Sequence, residues 1–138
     1  MLAITIYKRK EEIIRLNPDC IRDILLHFEK ITDGVIVYDV DESNSYEYLD
    51  NYSSEEFMYH IRQCYYNCFF IGEDRGSYIN IRDLSPIAHS FLADTRLDNN
   101  WNKIKGVAKT LGISSLTALT DIATKHTASL VVNYFQKL

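Results

Sequence analysis

Only two prolines and five glycines punctuate these 138 residues, and both prolines directly follow a side chain able to cap a helix. Asn17-Pro18-Asp19 supplies a cap acceptor, a ring that presets φ at the first helical position, and an acid facing the positive end of the dipole. Ile21, Ile24, Leu25 and Phe28 then recur at helical spacing, and Gly34 is read as the end of this helix. Ser85-Pro86 opens another, carrying Ile87, Phe91 and Leu92. Between them, Ser53 and Glu56 form a capping box for a helix read as 54–69, with Phe57, Ile61, Cys64, Tyr65 and Cys68 on one face. Asp98 is expected to cap a further helix striped by Trp101, Ile104, Ala108 and Leu111, stopped at Gly112. Ser114 is expected to cap a long last helix, 114–137.

The rest of the chain offers short β material. Val35-Ile-Val-Tyr38 is β-branched and aromatic, hence a strand; Asp41 to Ser45 is a polar turn, and Tyr46 to Leu49 reads as a second brief extended piece. Two apolar runs, Phe69-Phe-Ile and Tyr78 to Arg82, flank Gly72-Glu-Asp-Arg-Gly76 and read as a β-hairpin. The order helix, strand, helix, hairpin is that of a winged-helix unit with one middle helix missing or degenerate. The expected fold is therefore α+β: a winged-helix-like core with a C-terminal helical extension from about residue 86 to 138. Residues 16–138 are read as one domain, and residues 1–15 as an N-terminal extension, either an edge strand and short helix or a loose arm.

Charge is distributed unevenly over that frame. Residues 35–61 hold seven carboxylates and no Lys or Arg: Asp39, Asp41, Glu42, Glu47, Asp50, Glu55 and Glu56. They alternate with Tyr38, Tyr46, Tyr48, Tyr52 and Tyr59, and because the chain totals −4, everything outside the window sums to +3. A surface of this sign repels phosphate and suits a basic protein. In a winged helix, DNA is read by the helix expected at 54–69 and by the hairpin tip. That helix begins Glu55-Glu56 and offers one base, Arg62, while the tip Glu73-Asp74-Arg75 is net negative. Arg62, Arg75, Lys103, Lys105 and Lys109 are the alternative nucleic-acid contacts, the three lysines forming a basic helix face elsewhere.

Motifs for chemistry are absent. His60, Cys64 and Cys68 stand at i, i+4 and i+8, a tempting zinc spacing, but the cysteines share a stripe with Phe57 and Ile61, where a thiol packs as a small apolar group. No fourth ligand is apparent, nothing orients a Cys–His pair for catalysis, and Asp39-x-Asp41-Glu42 lacks the glycine of a calcium loop. No metal, cofactor or enzymatic activity is expected. Three cysteines in a chain of this size fit a reducing cytoplasm. Lys8-Arg-Lys10 follows the short N-terminal apolar run instead of preceding it, so a signal peptide is not expected. Nor does any run approach the roughly 18 apolar residues of a membrane span. Trp101 is read as a core latch joining the extension to the core, with His89 and Arg96 nearby to pair with Asp94 or Asp98. The last helix carries a partial heptad rhythm at Leu116, Leu119, Ala123, His126 and Leu130; it can pack on its own core, the preferred expectation, or on a second copy as a homodimer.

Three stretches resemble a family of uncharacterised winged-helix-like proteins found largely in phages, prophages and Gram-positive bacteria. They are Leu16 to Glu29, Tyr52 to Ile61, and Ala88-His-x-Phe-Leu92 followed by Arg96 and Trp101-Asn-Lys-x-Lys105. The last is similar to the family's Gly-His-x-Phe-Leu, Arg, Trp-Asn-Lys-x-Lys signature, with Ala88 in place of the usual Gly and Leu97 where an acid is common. The resemblance implies the fold and a phage or prophage setting, and no mechanism. Charge and resemblance together lead to a non-enzymatic, cytoplasmic interaction protein that binds a basic host or phage protein through Asp41, Glu42, Tyr46, Glu47, Tyr48, Glu55 and Tyr59. A host nucleic-acid-handling or defence factor is one such partner. The alternative is a dimeric winged-helix DNA-binding regulator.

Overall fold

The computed structural model describes residues 15–138, so the expected extension lies, apart from Arg15, outside the described residues. The elements are α1 Pro18–Ile31, β1 Tyr38–Val40, a 3-10 turn Ser45–Glu47, α2 Ser54–Tyr66, β2 Phe70–Asp74, β3 Ile79–Leu84, α3 Pro86–Thr95, α4 Asp98–Leu111 and α5 Leu116–Gln136. The sheet is antiparallel in the order β1-β3-β2, with Tyr38 opposite Ile81 and Phe70 opposite Leu84. This is an α+β architecture compatible with a winged-helix-like core, the missing middle helix being reduced to the 3-10 turn. One continuous buried cluster runs from Cys20 on α1 through Phe57, Ile81 and Phe91 to Ala123 on α5, so the C-terminal helices share the core.

Several boundaries differ from expectation. Asn17 does cap α1, its Oδ1 accepting from the Asp19 N–H at 3.1 Å. The helix stops before Gly34, however: Thr32 turns extended (ψ 144°) while its N–H (3.0 Å) and hydroxyl (2.6 Å) both still bond to the Phe28 carbonyl. Gly34 instead supplies a turn at φ 83°. Asp33 Oδ1 then accepts from the N–H groups of Val35 (2.8 Å) and Ile36 (3.0 Å), which holds Val35 to Val37 out of the sheet and leaves them exposed. The strand begins only at Tyr38. Tyr46 to Leu49 is not extended either: the N–H groups of Tyr48 and Leu49 both bond to Ser45 O at 3.1 Å.

Helix α2 ends at Tyr66 and not at 69. Phe69 N bonds to Cys64 O at 2.9 Å and Cys68 N to Tyr65 O at 3.0 Å, a Schellman closure with Cys68 at φ 62° in the position glycine usually fills. The hairpin forms as expected, but with a bulge between Ile71 and Gly72. A Cβ at Gly72 would stand 1.9 Å from the Asn80 carbonyl oxygen, so the sheet requires glycine there. Helix α4 starts at Asp98 itself, preceded by Leu97 without a side-chain cap, and α5 is capped by Ser115, one residue later than expected.

The latch is present and reaches further than the sequence indicated. Trp101, 2% exposed, donates from Nε1 to Asp19 Oδ1 at 2.8 Å, and Lys105 Nζ reaches the same oxygen at 2.9 Å. Arg22 and Lys105 both lie 5.6 Å from the Trp101 ring centroid. Burial alone would raise the Asp19 pKa, but the bonds from Lys105 and Trp101 outweigh it and keep the carboxylate ionised. Arg96 and His89 do not pair with Asp94 or Asp98. With α3 ending at Thr95, Arg96 turns back over α1 and grips Glu29 through both nitrogens (3.0 and 2.7 Å), His89 standing 3.9 Å from the same carboxylate. Asp94 accepts from Thr127 and Asp98 from Arg22.

Candidate protein-interaction face

The acidic window folds into a braced turn beside α2. Asp41 Oδ1 accepts from the Ser43 hydroxyl (2.6 Å) and the Asn44 N–H (3.0 Å). Asn44 Oδ1 accepts in turn from Asp41 N at 2.9 Å, and its Nδ2 donates to Asp39 O at 2.7 Å. The Ser43 bond first, then the Asn44 N–H, hold the Asp41 carboxyl below its ordinary range, so it stays charged at neutral pH. Behind the turn, Tyr48 stacks between Phe28 (5.3 Å between ring centroids) and Phe57 (6.2 Å) and donates its hydroxyl to Asp39 O at 3.1 Å. It pins the ribbon to α1 and α2, half-buried between them. Tyr52 is spent similarly, donating to Asp23 Oδ2 at 2.6 Å; burial and that carboxylate push its hydroxyl pKa well up.

Left on the surface are Asp39, Glu42, Tyr46, Glu47 and Asp50, with Glu55 at the start of α2 and Tyr59 half-buried one turn on. Tyr46 is 67% exposed. Among the described residues no Lys or Arg pairs with Asp39, Asp41, Glu42, Glu47 or Asp50. Sequence reasoning missed an exposed apolar segment next to it: Val35, Ile36 and Val37 are half or more exposed immediately before β1, and Val37 lines a pocket with Arg75 and Arg82 of the hairpin. Their β-branched pattern suggested burial in a strand, and the only warning was Asp33, a residue able to arrest the chain in a turn.

The candidate nucleic-acid contacts are scattered, and most are occupied. Arg62 donates to Gly76 O at 2.9 Å and lies 3.6 Å from Asp74, fastening α2 to the hairpin tip. Arg75 pairs with Glu73 at 2.7 Å and Lys105 with Asp19. Lys103 and Lys109 are exposed on α4, away from the helix and hairpin that would read DNA.

His60, Cys64 and Cys68 do not converge. Cys68 lies past the helix end, and both His60 ring nitrogens are engaged: Nδ1 donates to Glu56 O and Nε2 accepts from Asn17 N, each at 2.7 Å. Burial lowers the His60 pKa and raises that of the Cys64 thiol, so both are neutral structural groups at pH 7. Among the described residues no three His, Cys, Asp or Glu side chains are placed to hold a metal ion. No helix among them is long and apolar enough to cross a membrane.

The DUF2513 family of hypothetical proteins matches residues 15–114, well over half of the chain. The chain belongs to that family. The DUF2513 region takes in α1 to α4, hence the latch and the whole acidic flank, and stops just before α5. No curated protein and no solved structure matches the chain.

Proposed function

We propose that this DUF2513 protein is a non-enzymatic interaction protein of a phage or prophage, acting in the bacterial cytoplasm by binding a basic protein. The observation that carries this reading is the braced acidic flank of Asp39, Asp41, Glu42, Glu47 and Asp50, with no described Lys or Arg paired to it, beside the exposed Tyr46 and Val35 to Val37. A rigid ribbon loses little entropy on docking, the carboxylates steer a cationic surface, and the tyrosine and valines supply contact area. Tyr48 contributes by holding the ribbon, not by touching the partner. A basic groove that normally accepts nucleic acid matches this chemistry, which makes a host nucleic-acid-handling or defence enzyme the target class.

The test is capture from host lysate by the tagged chain and by its Glu42→Lys/Glu47→Lys variant. Retention of a basic protein by the native chain alone supports the reading. The DNA-regulator alternative draws support only from Lys103 and Lys109, exposed on α4. Salt-dependent binding of duplex DNA that is lost on Lys103→Glu/Lys109→Glu, without protein capture, would replace the first reading with the second.

A further inference from the structure

Helix α5 spans 21 residues, roughly 32 Å at the α-helical rise. Its first half is packed: Leu116, Leu119 and Ala123 are buried against α3 and α4. His126 to Asn100 (3.2 Å) and Thr127 to Asp94 (2.8 Å) are the side-chain hydrogen bonds that tie it to α4 and α3. Every residue from Ala128 onward is exposed. That projecting half is nonetheless apolar, with Lys137 as its one charged residue.

Leu130, Val131, Tyr134 and Phe135 stand at i, i+1, i+4 and i+5, which puts them on one side of the helix, and Leu138 follows two residues past its end. Their exposure runs from 38% at Leu130 to 84% at Leu138. We propose that this stripe is the interface of a symmetric homodimer, two α5 ends lying antiparallel against each other. A second copy is the fitting occupant on two grounds. The stripe is nearly uncharged, so it suffers no repulsion from its own likeness and has no basic residues suited to an anionic lipid surface beyond Lys137. Its area also suits self-association: with roughly 150–200 Å² per fully exposed side chain of this size, the five residues offer about 450–600 Å² per protomer. The pair then buries at most about 900–1,200 Å², the low end for a specific interface. An isologous contact closes on itself, leaving no further copy to recruit. The dimer carries two acidic flanks, so a partner with repeated basic sites gains by avidity.

Because every residue of the stripe is exposed, charge on it is expected to leave the fold intact. Sedimentation equilibrium of the full chain from 1 to 100 µM is expected to show a monomer–dimer equilibrium. Tyr134→Glu and Phe135→Glu should each weaken it about a hundredfold, through desolvation of a new carboxylate, with circular dichroism unchanged. Lys103→Glu, on α4, should leave it unaltered. A native chain monomeric throughout that range would overturn the proposal. So would a dimer indifferent to both tail substitutions, or a monomeric chain whose tail instead binds neutral or anionic lipid vesicles.

Discussion

Replacing His60 by leucine removes two hydrogen bonds from a position with no solvent exposure, and its cost follows from the partners left behind. The Glu56 carbonyl keeps its helical role, but the Asn17 N–H loses its acceptor at the entry to α1. Two lost bonds at about 1 kcal/mol each, plus part of the penalty for an unpaired buried donor, give about 2–4 kcal/mol at pH 7.5. The same geometry sets a pH dependence. Burial holds the His60 pKa in the folded chain below its ordinary 6.5. Below that pH the unfolded chain takes up the proton more readily, so native stability falls as pH drops through about 6.5 and stops falling once the folded site titrates. At pH 5.5 the loss from this one group is at most about 1.4 kcal/mol. Urea unfolding followed by circular dichroism at pH 7.5 and 5.5 measures both quantities. The gap between native and His60→Leu chains should be about 2–4 kcal/mol at pH 7.5 and narrow at pH 5.5. His27, whose pKa burial and then Lys30 also lower, acts in both chains and cancels. Asp19, Glu29, Asp33 and Asp41 are held below their ordinary values and matter only under about pH 4.5. An equal gap at the two pH values, or a cost under about 1 kcal/mol, would refute the neutral, doubly bonded imidazole.

Other residues give independent checks. Gly72→Ala must displace the Asn80 backbone to clear the 1.9 Å approach, and an expected loss above about 2 kcal/mol in urea unfolding tests the bulge. Trp101→Phe should cost about 1–2 kcal/mol through the lost bond to Asp19, and the same substitution made on Asp19→Ala should cost less, since the partner is already gone. Cys68→Gly relieves a side chain held at φ 62° and is expected to raise the urea midpoint, by up to about 1 kcal/mol in stability; a lower midpoint would contradict the Schellman geometry.

How much of this was legible depended on how local the determinant was. Caps at Asn17, Ser53 and Ser85 act within three residues, and all three were readable from spacing. Gly112, at φ 68°, closes α4 as expected for the same reason. Val35 to Val37 were misread because β propensity reports a fit to a half-buried pleat, and Asp33 took their N–H groups before any pairing could form. Arg96 was assigned to acids close in sequence, whereas the helix break at Thr95 delivered it to Glu29, 67 residues away. The stacking of Tyr48 between Phe28 and Phe57 had no sequence signal either, since a tyrosine suits a core and an interface equally well.

Charge shows the same division between composition and pairing. Counting fixes the sign of residues 35–61, but a carboxylate is available only if no base crosses the fold to meet it. Among the described residues six bases are committed elsewhere: Arg22 to Asp98, Arg62 to Asp74, Arg75 to Glu73, Arg96 to Glu29, Lys105 to Asp19 and Lys125 to Asp121. Each of those acids lies outside the window, and most of the pairs fasten one element to another. Four of these six pairs join α1, α2, the hairpin and the C-terminal helices, while Lys103 and Lys109 stay exposed on α4. The ribbon is instead held by uncharged contacts: Tyr48 on two phenylalanines, and Asp41 with Asn44 on each other. Among the described residues no Lys or Arg pairs with the ribbon's carboxylates, so a basic partner docking there displaces none of these ion pairs.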